Sequence, residues 1–570
     1  MTRFSGDPVL PGFRPDPSVC RVGADYYLVT SSFEWFPGLP VFHSRDLVNW
    51  RRIGSALDRA SQLDLDGCEP SRGLFAPTIR HHDGVFHLVC TLMDGPGHFV
   101  VTATDPAGPW SQPHWLDGEG FDPSLFFDDG PDDSGGDGRA WFTAARVLDE
   151  AAGRTEIWMR EYLPRERRLT GPEHVLWSGS HPGARWSEAP HLYKIDGTYL
   201  LLTAEGGTDV DHSVVAARAD RVTGPYKGAP GNPALPPAEG PVTCTGHADL
   251  VQTPHGDWRA VLLGVRPGSA LGRETFLSRI TWDEGRPVFS PVVHTGLRRP
   301  LHDGFATLSA DWSTLRTPPA RFWTTGDGLR LRLRPERLGE RTTPSLLARP
   351  QEQPDCDVST ELHFTPAAPD EQAGLAVVLD DDTHLLLLRT TEGLSLRHGP
   401  EVLARTPVPP GPIRLGVRIR GFSHTFGHAA PDGTRRHLAG SDHRGSHLPH
   451  PAVHQHPARP LRHLQRPPLR QPGALHVVRH HVPEPAGTAW TPESVMPAAG
   501  PESARRPGGP GSCAHGSPLG IPHVRGCAPA RACHPRPRTD TPGAGRPPRT
   551  AASRSRYREL PPQRPTRAPP

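Results

Sequence analysis

Between Asp16 and Arg273 the alternation of hydrophobic and polar positions repeats one phrase five times. Each copy opens on a small or acidic residue, runs through two or three hydrophobic positions, passes a Gly- or Asp-rich turn and enters an aromatic, branched run. The five openings are Asp16-Pro17-Ser18-Val19, Ala76-Pro77-Thr78-Ile79, Asp122-Pro123-Ser124-Leu125, Glu188-Ala189-Pro190-His191-Leu192 and Gly246-His247-Ala248-Asp249-Leu250. The runs that follow are Asp25–Thr30, Val85–Cys90, Arg139–Thr143, Thr198–Thr203 and Trp258–Leu263. Their composition predicts β-strands, and turns such as His82-Asp83-Gly84 and Ile195-Asp196-Gly197 predict tight hairpins before them. No run of helical period interrupts the series. Copies spaced 46 to 66 residues apart suit four-stranded blades, so the expectation for residues 5–305 is a five-bladed β-propeller. A β-sandwich also has many short strands, but it does not restart one phrase five times.

From residue 325 to 430 the period of two continues in a different rhythm. Gly328–Leu333, Val358–Phe364, Ala373–Leu379, His384–Arg389 and Arg414–Ile419, separated by Asp, Pro and Gly, predict a β-sandwich whose last convincing strand is Arg414–Ile419. The alternation then stops. Residues 441–570 hold 27 Pro, 19 Arg and 12 His, with no Lys or Phe, so segment 431–570 is expected to be a disordered tail. Such a composition also arises when GC-rich DNA is read in a shifted frame, in which case the sandwich is truncated.

The net charge of +2 conceals an asymmetry: residues 1–440 carry 55 acidic and 44 basic side chains, residues 441–570 carry 6 and 19. An acidic main body argues against a nucleic-acid partner, which needs a concentrated positive footprint. Cys20, Cys68, Cys90, Cys244 and Cys356 are scattered and odd in number, which predicts reduced thiols and a cytoplasmic protein. Neither a signal-peptide core nor an 18-residue apolar run occurs, so no membrane partner is expected. A homo-oligomer is left open.

Three phrase heads carry carboxylates, and blades around an axis bring such heads together. Two converging carboxylates are the minimum for glycosidic cleavage. Taken singly, Asp16 or Asp122 before Pro reads as a turn former and Glu188 as a solvated strand edge. Together with their surroundings they carry a resemblance. Pro11-Gly12-Phe13-Arg14-Pro15-Asp16-Pro17-Ser18, Ser31–Gly38, Phe121–Phe126 and Ser187–Lys194 resemble glycoside hydrolase family 43, and most of all its two-domain β-xylosidases, over roughly residues 5–430. The resemblance implies a five-bladed propeller that inverts configuration, with Asp16 as general base, Glu188 as general acid and Asp122 orienting the acid and raising its pKa by like charge. The base and acid carboxyls of an inverting enzyme stand about 6.5–9.5 Å apart to admit a water. Arg14 and Ala189 depart from the Asn and Gly that many relatives carry.

The resemblance also implies Arg273 as a sugar-binding arginine and His247 as an axial histidine. A calcium near His247 is a weak expectation, since one His without a ring of oxygen ligands makes a poor metal site. Phe33, Trp35, Phe36, Phe75 and Trp186 are candidates to line the cleft, with a plain core role expected for at least one. The implied activity is release of xylose from the non-reducing end of β-1,4-xylo-oligosaccharides. Alternatives are an α-L-arabinofuranosidase on arabinosyl-containing oligosaccharides and a carbohydrate-binding propeller with impaired turnover. The aromatic that closes the pocket in the resembling enzymes has no counterpart in this sequence.

Overall fold

The computed structural model describes residues 6–129, 138–292 and 301–429, with the backbone of two short strands at Arg435–His437 and Val477–Val478. Every regular element among them is a strand. The five repeats become five four-stranded antiparallel sheets, each a simple meander. Sheet I contains Ser18–Val22, Asp25–Val29, Gly38–Ser44 and Arg51–Leu57; sheet II contains Thr78–His82, Val85–Leu92, Gly97–Ala103 and His114–Trp115. Sheet III contains Phe121–Asp128, Arg139–Asp149, Arg154–Leu163 and Arg168–Trp177. Sheet IV contains Glu188–Ile195, Thr198–Glu205, Ser213–Ala219 and Lys227–Gly228, and sheet V contains Thr243–Gln252, Trp258–Val265, Arg273–Asp283 and Arg286–Pro291. The expected hairpins form where Asp and Gly both accept positive φ: Asp83 and Gly84 at 49° and 75°, Asp196 and Gly197 at 49° and 75°.

The first strand of each sheet lies against the first strand of the next, and that of sheet V lies against that of sheet I. Apolar clusters fill the spaces between sheets. Leu39, Val41, Leu88 and Val101 join I to II; Val89, Val100, Leu125 and Phe142 join II to III; Ile157, Met159, Leu192 and Leu201 join III to IV. Leu200, Leu202, Leu250 and Leu262 join IV to V, and Val19, Leu28, Val261 and Leu277 join V to I. Strands covered on both faces read as continuous apolar runs, which explains Tyr199-Leu200-Leu201-Leu202. The N-terminal segment is tied to sheet V, with the amides of Val9 and Leu10 both donating to the Thr275 carbonyl.

At the centre a buried polar network draws on all five first strands. Asp249 accepts from Ser18 Oγ at 2.6 Å, from the Val19 amide at 3.0 Å, from Arg80 Nη1 at 2.8 Å and Nη2 at 3.0 Å, and from Tyr193 Oη at 2.6 Å. Arg80 Nη2 also donates to His191 Nδ1 at 3.0 Å, on which Ser124 Oγ converges at 3.1 Å. Burial is affordable because nearly every lone pair and proton finds a partner.

The second region has two four-stranded antiparallel sheets sharing one apolar cluster. One sheet orders Asp355–Leu362, Ile413–Arg420, Ser423–Ala429 and Arg435–His437; the other orders Ala373–Val378, His384–Thr390, Gly393–His398 and Glu401–Thr406. Leu415, Val417 and Phe426 of the first sheet meet Leu387, Leu394 and Leu396 of the second. Strand pairing thus continues past Arg414–Ile419, the last strand that stood out in the sequence, within the expected bound of residue 430. Ser423–Ala429 has too few apolar residues to stand out, yet its register beside Ile413–Arg420 buries Phe426 fully. Two strands also fall inside the segment 431–570 read as structureless: Arg435–His437 beside Ser423–Ala429, and Val477–Val478 beside Leu329–Leu331. The rest of that segment, with the reading-frame question attached to it, lies outside the described residues. The five cysteines named above are free thiols. Among the described residues, no helix is long and apolar enough to cross a membrane.

Candidate active site

Four of the five first strands open on a local distortion, and sheet II alone opens without one. Ladder registers slip between Phe121 and Ser124, between Glu188 and His191, and between Gly246 and Asp249, which marks a β-bulge at the same place in sheets III, IV and V. At the bulge the backbone turns left-handed: Asp122 has φ 52°, Ala189 52° and His247 50°, and Asp16 before sheet I has 56°. Non-glycine residues rarely adopt this conformation, and bulges re-aim side chains. Asp16, Asp122, Ala189 and His247 are therefore structural equivalents, and Glu188 stands one residue earlier in its copy of the phrase.

Asp16, Asp122 and Glu188 are all buried, at 5%, 8% and 8% exposure, and within electrostatic reach of one another. One cation serves the three. Arg273 Nη1 donates to Asp16 Oδ1 at 2.7 Å, and Ser31 Oγ donates to Asp16 Oδ2 at 2.5 Å. Asp16 is thus the carboxylate with a charge partner and a hydroxyl donor in place. Burial pushes Glu188 well above the ordinary carboxyl range, with the charges of Asp122 and Asp16 adding to it and Arg273 opposing. Burial also lifts Asp122 to about 8, helped by Asp16 and opposed by Arg273 and by the Ala189 amide. The like-charge effect of Asp122 on Glu188 is present but second to desolvation, and burial holds Asp122 itself protonated at neutral pH.

Phe33 and Phe75 stand beside the charged group. The Arg273 guanidinium lies 5.7 Å from the centre of the Phe33 ring and 5.8 Å from that of Phe13. Phe13 stacks on Phe33 at 5.7 Å, and Phe75 meets Phe33 edge-on at 5.8 Å. Trp186 has φ 53°, and its amide donates to the Gly153 carbonyl two residues before Glu188. Phe36 is a core residue in the cluster between sheets I and II, the plain packing role foreseen for one of the aromatics. Trp35 and Phe36 pair with Leu315 and Thr314.

His247 Nδ1 is 3.7 Å from Asp16 Oδ1, and burial lowers the His247 pKa, so the ring meets Asp16 uncharged near neutral pH. The residues beside it do not suit calcium. Both oxygens of nearby Asp249 are already engaged by Arg80, Ser18 and Tyr193, and no group of three or more His, Cys, Asp or Glu among the described residues stands ready for a metal. The sequence reading passed over Ser31, Phe13 and the Arg80–Asp249 network. A signal for the network existed: the third position of the repeated phrase, or its equivalent, is polar in all five copies, as Ser18, Thr78, Ser124, His191 and Asp249.

A buried set of carboxyls, one ion-paired and two kept protonated, walled by aromatic rings, matches what comparison with known proteins returns. Residues 5–287 match the model of glycosyl hydrolases family 43, and residues 302–425 match that of the beta xylosidase C-terminal Concanavalin A-like domain. A xylosidase/arabinosidase of Butyrivibrio fibrisolvens is 38% identical over 442 residues, covering 70% of this chain and 83% of the relative. A non-reducing end alpha-L-arabinofuranosidase of Bacteroides ovatus is 39% identical over 420 residues, covering 67% and 75%. Among solved structures, the xylan beta-1,4-xylosidase from Bacillus halodurans C-125 superposes with a TM-score of 0.68 at 34% identity, over 76% of this chain and 91% of that one. The chain belongs to glycoside hydrolase family 43, in its two-domain, xylosidase-like form.

Proposed function

We propose that the five sheets close as the blades of a propeller, that the second region is a β-sandwich, and that the protein is an inverting glycosidase releasing xylose from the non-reducing end of β-1,4-xylo-oligosaccharides. The observation that carries the reading is the unequal treatment of three neighbouring carboxyls. Asp16, paired with Arg273 and Ser31, acts as the base that takes a proton from water as the water attacks the anomeric carbon. Glu188, held protonated by burial, gives its proton to the departing glycosidic oxygen. Asp122 opposes ionisation of Glu188 once its own proton is lost at higher pH, and it accepts from the Ala189 amide, which fixes the strand that carries the acid. Arg273 and the faces of Phe33 and Phe75 hold the sugar, with Trp186 at the entrance to the acid's strand.

Hydrolysis of xylobiose by the full chain, with α-xylose as the first anomer seen by NMR, is the expected result. Glu188→Gln lowers turnover about 10²- to 10⁴-fold, the usual worth of a positioned acid. Binding without hydrolysis by the parent protein, or β-xylose as the first product, ends this account. The names of the Butyrivibrio and Bacteroides relatives favour a second reading, in which terminal α-L-arabinofuranosyl groups are removed by the same machinery. Parallel assays with nitrophenyl xyloside and nitrophenyl arabinofuranoside rank the two; an equal or faster arabinofuranoside rate makes the second reading the correct one.

A further inference from the structure

A continuous chain of contacts runs from the second region to Asp16. Arg316 is fully buried, and its guanidinium grips Asp381 twice, Nη2 to Oδ2 at 2.8 Å and Nη1 to Oδ1 at 3.1 Å. The same fork donates to the Cys68 carbonyl from Nη2 at 2.6 Å and from Nε at 3.0 Å, and to the Thr342 carbonyl at 3.2 Å. Its own amide donates to the Glu34 carbonyl at 2.7 Å. One residue thus pins two separate segments of the first region, its backbone amide holding the segment around residue 34 and its side chain that around residue 68. Those segments are joined to each other: the amides and carbonyls of Phe33 and Leu74 exchange hydrogen bonds at 3.0 and 3.1 Å, and the Ser71 amide donates to buried Glu34 at 2.9 Å. Both segments lead into the sugar wall. Phe33 is next to Glu34, Phe75 is next to Leu74, and the two rings meet under the arginine that holds Asp16.

A buried arginine that satisfies four acceptors is costly to place without its counter-charge, because desolvation of the guanidinium must be offset by Asp381. Packing of the two regions alone needs no such device. A more accessible, part-buried arginine already links them, since Arg341 bonds Glu69 at 2.7 Å and Asp382 at 3.1 Å. The buried pair differs in where it acts, on the backbone directly behind the aromatic wall.

We propose that the Arg316–Asp381 ion pair is a positioning device for the sugar pocket, through which the second region sets the placement of Phe33 and Phe75. The role rests on the glycosidase reading of the site. A wall displaced by a fraction of an ångström weakens sugar binding while leaving the carboxyls in place, so the effect belongs in KM more than in kcat.

The test compares the full chain with Asp381→Asn on nitrophenyl xyloside, and follows hydrogen exchange at the Phe33 and Leu74 amides. Expected are a KM raised about tenfold, kcat within about twofold, and faster exchange at both amides. The rise in KM is further expected to be non-additive with that of Phe33→Leu, because both act through one ring. Arg341→Met, which loosens only the more accessible link, leaves KM unchanged. If Asp381→Asn does not fold, Arg316→Lys, which keeps the charge and loses the fork, carries the same measurements. A lowered melting temperature with KM and exchange unchanged, additive effects with Phe33→Leu, or an equal KM rise in Arg341→Met overturns the proposal. If the parent chain turns over no glycoside, the glycosidase reading falls, and exchange at Phe33 and Leu74 alone decides whether the clamp exists.

Discussion

Asp16, Asp122 and Glu188 share a single arginine, bonded to Asp16, and on the proposed function this sharing bears on both activity and stability. Asp122 has a folded pKa of about 8 against an ordinary 3.8. Between those values the folded chain holds a proton that the unfolded chain has released, so stability falls as pH rises through this window, by at most about 1.4 kcal/mol per pH unit for one group. Asp122→Asn, neutral at every pH, removes that slope. Urea denaturation at pH 5 and pH 8 is expected to show a smaller pH dependence in the variant and a higher midpoint at pH 8. The same substitution removes a like charge beside Glu188. With Glu188 as the proposed acid, the parent is expected to lose activity as rising pH removes the Glu188 proton, and without Asp122 that loss is expected earlier. The alkaline limb of kcat/KM is expected to move down by about one pH unit. A limb that stays in place means that burial alone sets the Glu188 pKa and that Asp122 serves only to orient.

The strand openings show what could be read from the chain and what could not. Hairpins and strands were legible because Asp-Gly pairs and apolar alternation act locally, and Asp25–Val29 and Thr198–Glu205 fall where the pattern put them. The bulge was not legible as geometry, because positive φ at Asp16, Asp122 and His247 is imposed by neighbouring sheets and not by propensity. Its one local trace is the residue after Glu188. The resemblance implies Gly there, and this chain carries Ala189 at φ 52°. A left-handed residue with a Cβ costs roughly 1–2 kcal/mol, and glycine gives back about 0.5–1 in unfolded-state entropy. Ala189→Gly is therefore expected to stabilise by about 0.5–1 kcal/mol, read as a rise in denaturation midpoint. The reverse logic applies to Gly246, where an added Cβ would meet the His212 ring at 2.1 Å. Gly246→Ala is expected to cost about 3 kcal/mol or more, since the ring is fully buried with nowhere to move. Which of the aromatics would take the plain core role was not legible, because a sequence places an aromatic such as Phe36 on a strand but not the partner that the strand will face.

At the scale of the molecule, the five first strands meet in a network whose only charges are Arg80 and Asp249 among neutral partners, and the arrangement makes a prediction that an isolated ion pair would not. Asp249→Asn leaves the buried Arg80 cation uncompensated, which is expected to cost about 3–5 kcal/mol. An isolated buried pair can be replaced by apolar side chains of similar volume at little cost or even with a gain. Here the pair has other dependants. Arg80→Met with Asp249→Leu would strip the Asp249 acceptor from the Ser18 and Tyr193 hydroxyls and from the Val19 amide. Each buried group left unpaired costs about 1–3 kcal/mol. The double replacement is therefore expected to remain destabilised by several kcal/mol, with the denaturation midpoint of the first region as the measure. Recovery to the parent midpoint would mean that the five sheets are held by the apolar clusters between them, and that the polar centre contributes specificity of register without contributing stability.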